Sequence, residues 1–353
     1  MNIAVISTDW HIDAGNVELS RNLAAQQIQF AKKSNVKWLI CLGDVFESRK
    51  AQPEIALNCF KDILDMIHEE GMKLTVIPGN HDKTDYGSWS SFLRPFNEHP
   101  GLQLIEKSDF VGVTGSTGTE YGLIFQSFAR EDIWCESLND ILAEPKLSKF
   151  AQLYLFSHQA FSGSCNNDGT KVQNTINQKF LLPFTKSFFG HYHNYQEPFM
   201  NAFQLSAWKQ KNFGEDEQKG FWLLKEYEGE LDIEFRQSDF PTYMTFEVEA
   251  QNLDPEQISK LEKDIKESSC KVRLKVIGTT DEIKSVSVKA LQDAGIKVQT
   301  IDKTEKQMID DEEEVQDYEK DETLLETFKE FCSEKEYDYD EGLKYLKLAL
   351  NNE

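Results

Sequence analysis

The sequence lacks several features that would assign a protein to a class at once. No apolar run approaches the ~20 residues that a membrane-spanning helix needs. The strand-like N-terminus MNIAVIST has neither the basic region nor the long apolar region of a signal peptide. The six cysteines are scattered, and none forms a CxxC pair. We therefore expect reduced cysteines, a cytoplasmic location and no membrane partner.

Positive charge is also scarce. The 353 residues include 38 Lys and Arg against 61 Asp and Glu, which leaves a net charge of −23. Residues 1–241 carry 22 basic against 32 acidic side chains, and residues 242–353 carry 16 against 29. This excess of negative charge is unfavourable for a protein that binds nucleic acid without a partner. A function on nucleic acid would therefore require a second source of positive charge.

The composition is that of a folded protein, with 39% hydrophobic and 12% aromatic residues. The length of the chain predicts one large domain and one smaller domain. Apolar runs at 2–8, 36–42 and 73–77 predict buried strands. Amphipathic patterns at 17–34 and 53–71 predict the helices between them. This alternation indicates an α/β sheet with crossover helices. Shorter alternating runs within 102–128 and 220–236 predict further strands, which we expect to be antiparallel.

The C-terminal third divides into three parts. Strand and helix patterns alternate in residues 242–301 and predict a compact βαβαβ module. One of its helices begins at Asp254-Pro255, and the other begins at the capping pair Thr279 and Glu282. Residues 302–322 read as an acidic linker. Residues 323–353 predict two short amphipathic helices, which are marginal alone and must pack on the body or on a partner.

Polar side chains follow the predicted strands at the points where the strands end. The motifs are DWH after the first strand, GD after the second, GNHD after the third, a histidine at the end of a later strand, and GHYH. Their polar residues are Asp9, His11, Asp44, Asn80, His81, Asp82, His158, His191 and His193. Loops at the carboxyl ends of strands in an open α/β sheet converge on one crevice. The mixed oxygen and nitrogen donors suit Mn, Fe or Zn, their number suits two ions, and Asp44 is the natural bridge between them.

Each motif is weak alone, but five in this order are distinctive. The order DxH, GDxxE, GNHD, H, GHxH resembles the calcineurin-like metallophosphoesterase superfamily over residues 1–195. The resemblance implies a four-layer α/β/β/α metallophosphoesterase sandwich with a dinuclear metal centre. To this fold the sequence adds the smaller βαβαβ module and the C-terminal helical pair.

The segment 206–224 narrows the resemblance, since its F-G-E and K-G-F patterns look like those of SbcD-type double-strand-break repair nuclease subunits. The domains implied are a nuclease domain at 1–241, a DNA-capping domain at 242–301, the linker at 302–322, and a helix–loop–helix at 323–353. The last would dock an SbcC-like SMC-type ATPase, with a homodimer of this chain inside a heterotetramer. The compact length and acidic tail look most like the T-even-like phage branch, which would place the protein in the host cytoplasm.

The resemblance implies a role for each motif residue in a two-metal DNA exonuclease and endonuclease reaction that uses two divalent ions per chain, expected to be Mn²⁺. One ion would be held by Asp9, His11, Asp44 and His193, and the other by Asp44, Asn80, His158 and His191. His81 would stabilise the phosphate or protonate the leaving 3′ oxygen, with its tautomer set by Asp82.

Basic residues near the motifs are candidate DNA contacts, and they are Arg49, Lys50, Arg130, Lys209, Lys211 and Lys219. Glu47 stands where many SbcD-type proteins have a histidine; it is either a functional departure or a surface acid that pairs with Arg49. The helix at 53–71 and the segment 88–96 carry apolar side chains that serve the core or a homodimer.

Two other functions remain open at this point. One is a phosphatase or cyclic-nucleotide phosphodiesterase of the same superfamily, which would not need the segment 206–224 or the C-terminal helices. The other is a non-catalytic scaffold with a structural metal site, which would have no use for the unligated imidazole of His81.

Overall fold

A computed structural model of the chain describes residues 1–303, apart from 167–168, 173–174, 241–242, 254–258, 260–262, 264–269 and 294. Three predictions concern residues outside this set. They are the helix opened by Asp254-Pro255, most of the linker at 302–322, and the helical pair at 323–353.

The predicted strands and helices that lie among the described residues appear in the predicted order, and the structure adds elements that were not predicted, among them Glu131–Leu142, Gln196–Phe199 and Ala202–Gln204. The first group is β1 Asn2–Ser7, α1 Val17–Lys33, β2 Trp38–Cys41, α2 Glu54–Glu69, β3 Lys73–Val76, β4 Leu102–Leu104, β5 Ser108–Thr114, β6 Glu120–Gln126, α3 Glu131–Leu142 and β7 Gln152–His158. The second group is β8 Lys186–Gly190, β9 Gln196–Phe199, β10 Ala202–Gln204, β11 Gly220–Tyr227, β12 Glu230–Gln237, β13 Tyr243–Glu249, β14 Lys271–Gly278, α4 Thr280–Ser285, α5 Val288–Asp293 and β15 Lys297–Asp302.

Local chemistry explains where α2 begins and ends. Pro53 precedes it and Glu54 lies in its first turn, where fixed φ and negative charge are favourable. After the helix, Gly71 adopts a φ of +65°, which glycine reaches without a steric penalty. The predicted helix at 53–71 is therefore confirmed within a residue or two at each end.

Two six-stranded sheets form the larger part of the structure. The first has the strand order β12-β11-β1-β2-β3-β4, with β1 to β4 parallel and β11 and β12 antiparallel. The second has the order β5-β6-β7-β8-β10-β9, with parallel β6, β7, β8 and β10 between antiparallel edge strands. The pairs β5–β6 and β11–β12 are antiparallel, as the alternating runs predict.

Three apolar clusters show how the layers stack. In β1, Val5 packs in the cluster that contains α1 and α2 side chains, whereas Ala4 and Ile6 pack in the cluster shared by the two sheets. A third cluster joins the second sheet to α3 through Trp134 and Leu138. Because successive side chains of a strand point to opposite faces, a strand buried on both faces reads as a continuous apolar run. The four-layer α/β/β/α arrangement is confirmed.

The apolar side chains at 53–71 and 88–96, which were predicted to serve either the core or a homodimer, largely pack in the core. Ile63, Leu64 and Ile67 of α2 are buried in the first cluster, and Phe92 and Phe96 pack against it. Homodimerisation through these segments stays a prediction.

The remaining strands form a three-stranded sheet in the order β13-β14-β15. The chain divides into two compact units, and the first boundary falls between Thr245 and Phe246, inside β13. The domain bounds predicted above stay predictions. The capping box between Thr279 and Glu282 is present at the start of α4, as the sequence predicts. Within the described part of the chain, no helix has the length and apolarity that a membrane crossing requires.

Candidate metal centre

The predicted ligands come together where the central strands of both sheets end. Asp9 and His11 follow β1, Asp44 follows β2, Asn80 follows β3, and His158 is the last residue of β7. His191 and His193 follow β8. Three groups of these side chains place their donor atoms within 4.8 Å of one another: Asp9, His11 and His193; His11, Asp44 and His81; Asp9, Asp44 and His158.

The backbone of the site is strained. Among the described residues, six that are not glycine have a positive φ, and four of them are Asp9, His11, Asp44 and His191. This conformation costs on the order of 1–3 kcal/mol per residue and persists where the surrounding structure enforces it. Strain concentrated on four candidate ligands supports a functional site rather than an ordinary set of turns.

Asp9, His11 and His193 form the first half-site. The Nε2 atoms of the two imidazoles lie 3.1 Å apart, and each lies 3.9 Å from an oxygen of Asp9. The other ring nitrogen of each histidine faces a carboxylate, since His11 Nδ1 is 2.8 Å from Glu47 and His193 Nδ1 is 2.8 Å from Glu215. Glu215 accepts a hydrogen bond from His193 Nδ1–H, whereas the contact of His11 Nδ1 with Glu47 Oε2 has the distance of a hydrogen bond but not its direction. With hydrogen on both Nδ1 atoms, the two Nε2 atoms present lone pairs to each other.

This geometry fits a metal ion. Donor atoms about 2.1 Å from one ion and about 90° apart lie about 3 Å from each other. Two lone pairs facing each other at 3.1 Å are repulsive alone, and they become favourable around a cation. The residues present therefore suit a divalent ion at this position.

Asn80, His158 and His191 form the second half-site. Asn80 Oδ1 lies 3.0 Å from His158 Nε2 and 2.9 Å from His191 Nδ1. His158 Nδ1 faces the backbone carbonyl of Leu42 at 2.6 Å. Burial alone would lower the pKa of His158, but the carboxylates of Asp44 and Asp9 raise it to about 9. This position therefore attracts positive charge, which a divalent ion would also supply.

Asp44 lies between the half-sites. Its Oδ1 is 3.4 Å from His158 Nε2, and its Oδ2 is 3.7 Å from His11 Nε2. Burial would raise the pKa of Asp44, but His158, His11 and His81 hold it well below its usual range. An ionised carboxylate with one oxygen toward each group is placed to bridge two ions.

His81 lies beside the two half-sites, with its Nε2 4.0 Å from Asp44 Oδ2. Its Nδ1 is 2.5 Å from the carbonyl of Glu47, and its Nε2 is 2.9 Å from Arg49 Nη2. Arginine can only donate, so Nε2 is the acceptor and Nδ1 carries the hydrogen. The imidazole is thus fixed by one carbonyl while Nε2 faces a guanidinium.

The prediction that Asp82 orients His81 is wrong. The buried carboxylate of Asp82 accepts from the backbone N–H groups of Gly79, Val45 and Phe46. The Asp82 carboxylate therefore connects the loop after β3 to the loop after β2. The group that orients the His81 ring is instead the backbone carbonyl of Glu47. Burial and the nearby Asp44 raise the pKa of Asp82 to about 7.

The comparison with protein families agrees with this geometry. The model of the calcineurin-like phosphoesterases matches residues 1–195, which contain every residue of the two half-sites. The chain belongs to the calcineurin-like phosphoesterase family. It is therefore a hydrolytic enzyme by family, and the family uses divalent metals.

Individual relatives of this phosphoesterase are distant. Exonuclease subunit 1 of Enterobacteria phage T4 is 22% identical over 227 residues, which cover 61% of this chain and 62% of that protein. The match thus spans less than two thirds of the relative's length. Two solved structures are also similar. A dimetal phosphatase from Danio rerio has a TM-score of 0.41 and 13% identity, and the match covers 66% of this chain and 95% of that one. The nuclease MPE of Pseudomonas putida has a TM-score of 0.28 and 14% identity, with 63% and 83% covered.

Two of the basic residues offered as DNA contacts in this phosphoesterase are inside the protein. Lys209 is 4% exposed, its ammonium donates to the Trp10 carbonyl, and burial lowers its pKa to about 7. Lys219 is fully buried and pairs with Asp216 at 2.5 Å. Neither ammonium is available to a phosphate, so the prediction is wrong for both. Lys211 is partly exposed, and Arg130 is exposed and pairs with Asp132.

Two glutamates of the site were not assigned a role from the sequence. Glu215 belongs to the F-G-E pattern quoted above, and its carboxylate contacts His193. Glu47 does not pair with Arg49 as one interpretation held, because its carboxylate contacts His11 and Lys211 Nζ, at 2.8 and 2.7 Å. Burial would raise the pKa of Glu47, but these two contacts lower it to about 2.

Gly190 lets the end of β8 approach the site closely. A Cβ added there would lie 2.1 Å from Thr8 Oγ1 and 2.6 Å from the Leu42 carbonyl that holds His158. We expect Gly190→Ala to lower the free energy of unfolding by about 1–3 kcal/mol and to weaken metal binding, because neighbouring backbone must move. Urea unfolding of the metal-free protein measures the first effect.

Gly87→Ala is the matched control, since its nearest non-adjacent atom would be Asp85 Oδ1 at 3.2 Å. We expect this change to stay within about 0.5 kcal/mol of the native protein. Equal stability of the two variants would contradict the close approach at Gly190.

Proposed function

We propose that this chain is an SbcD-type nuclease subunit that hydrolyses phosphodiester bonds of DNA with two divalent ions, and that its physiological ion is Mn²⁺. The observation that carries the proposal is the pair of half-sites sharing Asp44, with His81 and Arg49 beside them. The similarity to an exonuclease subunit of a phage supports DNA as the substrate.

The cavity over the centre has a cationic side chain that can hold a phosphate. It has a volume of about 510 Å³, and Arg49, His81, Asn166, Tyr192 and Asn212 are among its lining residues. Arg49 is the single lysine or arginine that lines it among the described residues. The Arg49 guanidinium offers N–H donors to the oxygens of a phosphate. The two expected ions dominate the charge of the site, so cleavage assays must distinguish a diester from a monoester.

In this proposal Asp9, His11 and His193 would hold one ion, Asn80, His158 and His191 would hold the other, and Asp44 would be shared between them. When bound, the ions supply Lewis-acid charge at the phosphate oxygens. Arg49 turns its N–H groups from His81 to the phosphate and orients it. In the hydrolysis a water molecule adds to phosphorus as the P–O3′ bond breaks. His81, held through Nδ1 by the Glu47 carbonyl, takes up a proton from solvent at Nε2 and donates it to the leaving 3′ oxygen.

We further propose that an SbcC-like SMC-type ATPase completes the enzyme, with two copies of this chain in a heterotetramer. The net charge of −23 supports this, because the basic side chains around the cavity are too few to hold duplex DNA alone. A partner would supply the missing positive surface.

Removal of the metal tests the reaction. After dialysis against EDTA, we expect cleavage of end-labelled linear duplex DNA and of bis-(p-nitrophenyl) phosphate to fall by about 10³-fold or more, and Mn²⁺ to restore it. The monoester p-nitrophenyl phosphate serves as the comparison substrate. Cleavage of the monoester in preference to both diesters would contradict the proposal and favour a phosphatase. If the protein cleaves only the small diester, the ATPase is added to the assay. The proposal then requires that cleavage of DNA appears.

A further inference from the structure

Each histidine of the first half-site has a carboxylate at its Nδ1 atom, as a hydrogen bond for His193 and as a close charge contact for His11. His11 Nδ1 lies 2.8 Å from Glu47 Oε2, and His193 Nδ1 lies 2.8 Å from Glu215 Oε1. The opposite nitrogens of the two rings point at each other across 3.1 Å. A negative charge at Nδ1 favours the tautomer that carries its hydrogen there and directs the Nε2 lone pair toward the first half-site.

Both carboxylates are themselves held in place. Glu215 is 6% exposed and accepts from the Lys211 backbone N–H and the Asn212 side-chain amide, each at 3.0 Å. Glu47 is 36% exposed at its side chain and accepts from Lys211 Nζ at 2.7 Å. Residues 211–215 therefore contain Glu215 and the groups that hold its carboxylate. The same segment contacts the Glu47 carboxylate through the Lys211 side chain.

The second half-site is built differently. His158 donates through Nδ1 to the neutral carbonyl of Leu42, and His191 turns its Nδ1 toward Asn80 at 2.9 Å. A charged acceptor raises the basicity of the imidazole more than a neutral acceptor does. The two half-sites therefore differ in the negative charge that stands behind their histidines.

We propose that Glu47 and Glu215 are positioning residues that make the half-site of Asp9, His11 and His193 the tighter of the two for a divalent ion. The inference rests on the metal centre of the proposed function and not on cleavage of DNA. It also gives Glu47 a role that a histidine at that position would not reproduce, because a neutral ring brings no negative charge to His11.

Substitution of Lys211 distinguishes an action of Glu47 on His11 from an ordinary ion pair between Glu47 and Lys211. If Glu47 acts only by joining Lys211 to the loop after β2, removal of either partner should have the same effect. If Glu47 acts on His11, Lys211→Met leaves the carboxylate against the imidazole and preserves the site. Glu217→Gln is the matched control for Glu215, since it removes the same charge two residues further on from a side chain that is exposed.

The test is titration of the metal-free full-length chain with Mn²⁺, followed by calorimetry and by the electron paramagnetic resonance signal of free Mn²⁺. We expect Glu47→Gln and Glu215→Gln each to raise the dissociation constant of the tighter site by about 10- to 100-fold. The weaker site should stay within about threefold in the same titrations. Lys211→Met and Glu217→Gln should leave both constants within about threefold. Glutamine keeps one oxygen that can accept from Nδ1–H, but its amide group cannot accept from the Lys211 backbone N–H as Glu215 Oε2 does, so circular dichroism is used to check the fold of Glu215→Gln.

Imidazole nitrogen spectra give a second readout in the metal-free protein. The His11 and His193 rings should show the tautomer with hydrogen on Nδ1, and the population of that tautomer should fall for His11 in Glu47→Gln and for His193 in Glu215→Gln. Unchanged constants and tautomers in both variants would overturn the proposal. An equal loss in Lys211→Met and Glu217→Gln would also overturn it, because the effect would then belong to the fold or to the net charge. Two Mn²⁺ sites without DNA cleavage would refute the nuclease and leave this inference intact.

Discussion

His81→Ala is expected to reduce the rate of DNA cleavage by about 10²- to 10⁴-fold. The affinity for Mn²⁺ should stay within about threefold of the native value, because the proposed ligands are other side chains. His81 Nε2 lies beside Arg49 at the rim of the centre, 4.0 Å from Asp44 Oδ2, and its other nitrogen is fixed by the Glu47 carbonyl. Its backbone N–H also donates to Asp44 Oδ1 at 2.8 Å, and alanine preserves that bond. The substitution thus removes the imidazole and leaves the loop in place.

The measurement is single-turnover cleavage of end-labelled duplex DNA, with calorimetry for Mn²⁺. His99→Ala is the control histidine, since its Nε2 pairs with Asp65 at 3.0 Å, away from the centre. We expect cleavage by that variant within about threefold of native. A His81→Ala protein that loses metal and activity together would mean that His81 is a ligand, which would refute the role proposed for it.

Asp44→Asn is expected to have the largest effect of any single change. Asparagine tolerates the φ of +53° at this position and can still accept from the His81 backbone N–H, so the fold should persist. The charge that faces both half-sites is lost. We expect both Mn²⁺ affinities to fall by at least about 10²-fold and cleavage by about 10³-fold or more, which corresponds to roughly 4 kcal/mol of transition-state stabilisation.

Asp62→Asn is the control carboxylate, because Asp62 is partly exposed and pairs with Arg21. Circular dichroism should show equal folded content in the two variants. Loss of one Mn²⁺ site with the other unchanged would refute the bridge. A scaffold with a structural metal site predicts instead that Asp44→Asn melts at a lower temperature and that native protein cleaves neither DNA nor the small diester.

Much of the fold could be predicted because its signals are local. The runs at 2–8, 36–42 and 73–77 are apolar at successive positions, and such runs belong to strands covered on both faces. Val5 and Ile6 accordingly pack in different clusters. The capping pair Thr279 and Glu282 is another local signal, and it appears where it was predicted.

The candidate ligands could be predicted for a topological reason. Parallel strands present their carboxyl ends on one edge, so polar residues placed directly after several such strands must meet. Asp9, Asp44 and Asn80 follow three neighbouring parallel strands of the first sheet, and His158 and His191 come from the second. The roles of these residues as ligands remain part of the proposal.

Contacts between segments distant in sequence were predicted less well. Asp82 follows His81 directly, which suggested that it orients the ring, but its carboxylate lies against the backbone of residues 45 and 46. Lys209 and Lys219 carry no sequence signal of burial, since lysine is normally exposed. Their ammonium groups nevertheless lie inside the protein, on a carbonyl and a carboxylate.

The sequence by itself determined the order of strands and helices, the strand ends at which polar residues stand, and the donor types of the candidate centre. Only the tertiary structure decided what stands behind each donor: a carboxylate from Glu47 or Glu215, a carbonyl from Leu42, or the guanidinium beside His81. The physical reason is that strand position follows from local periodicity, whereas a hydrogen bond needs two groups within about 3 Å in a defined direction. That condition is met between residues up to 182 positions apart in this site, as for the His191 backbone N–H, which donates to Asp9 Oδ2 at 3.2 Å.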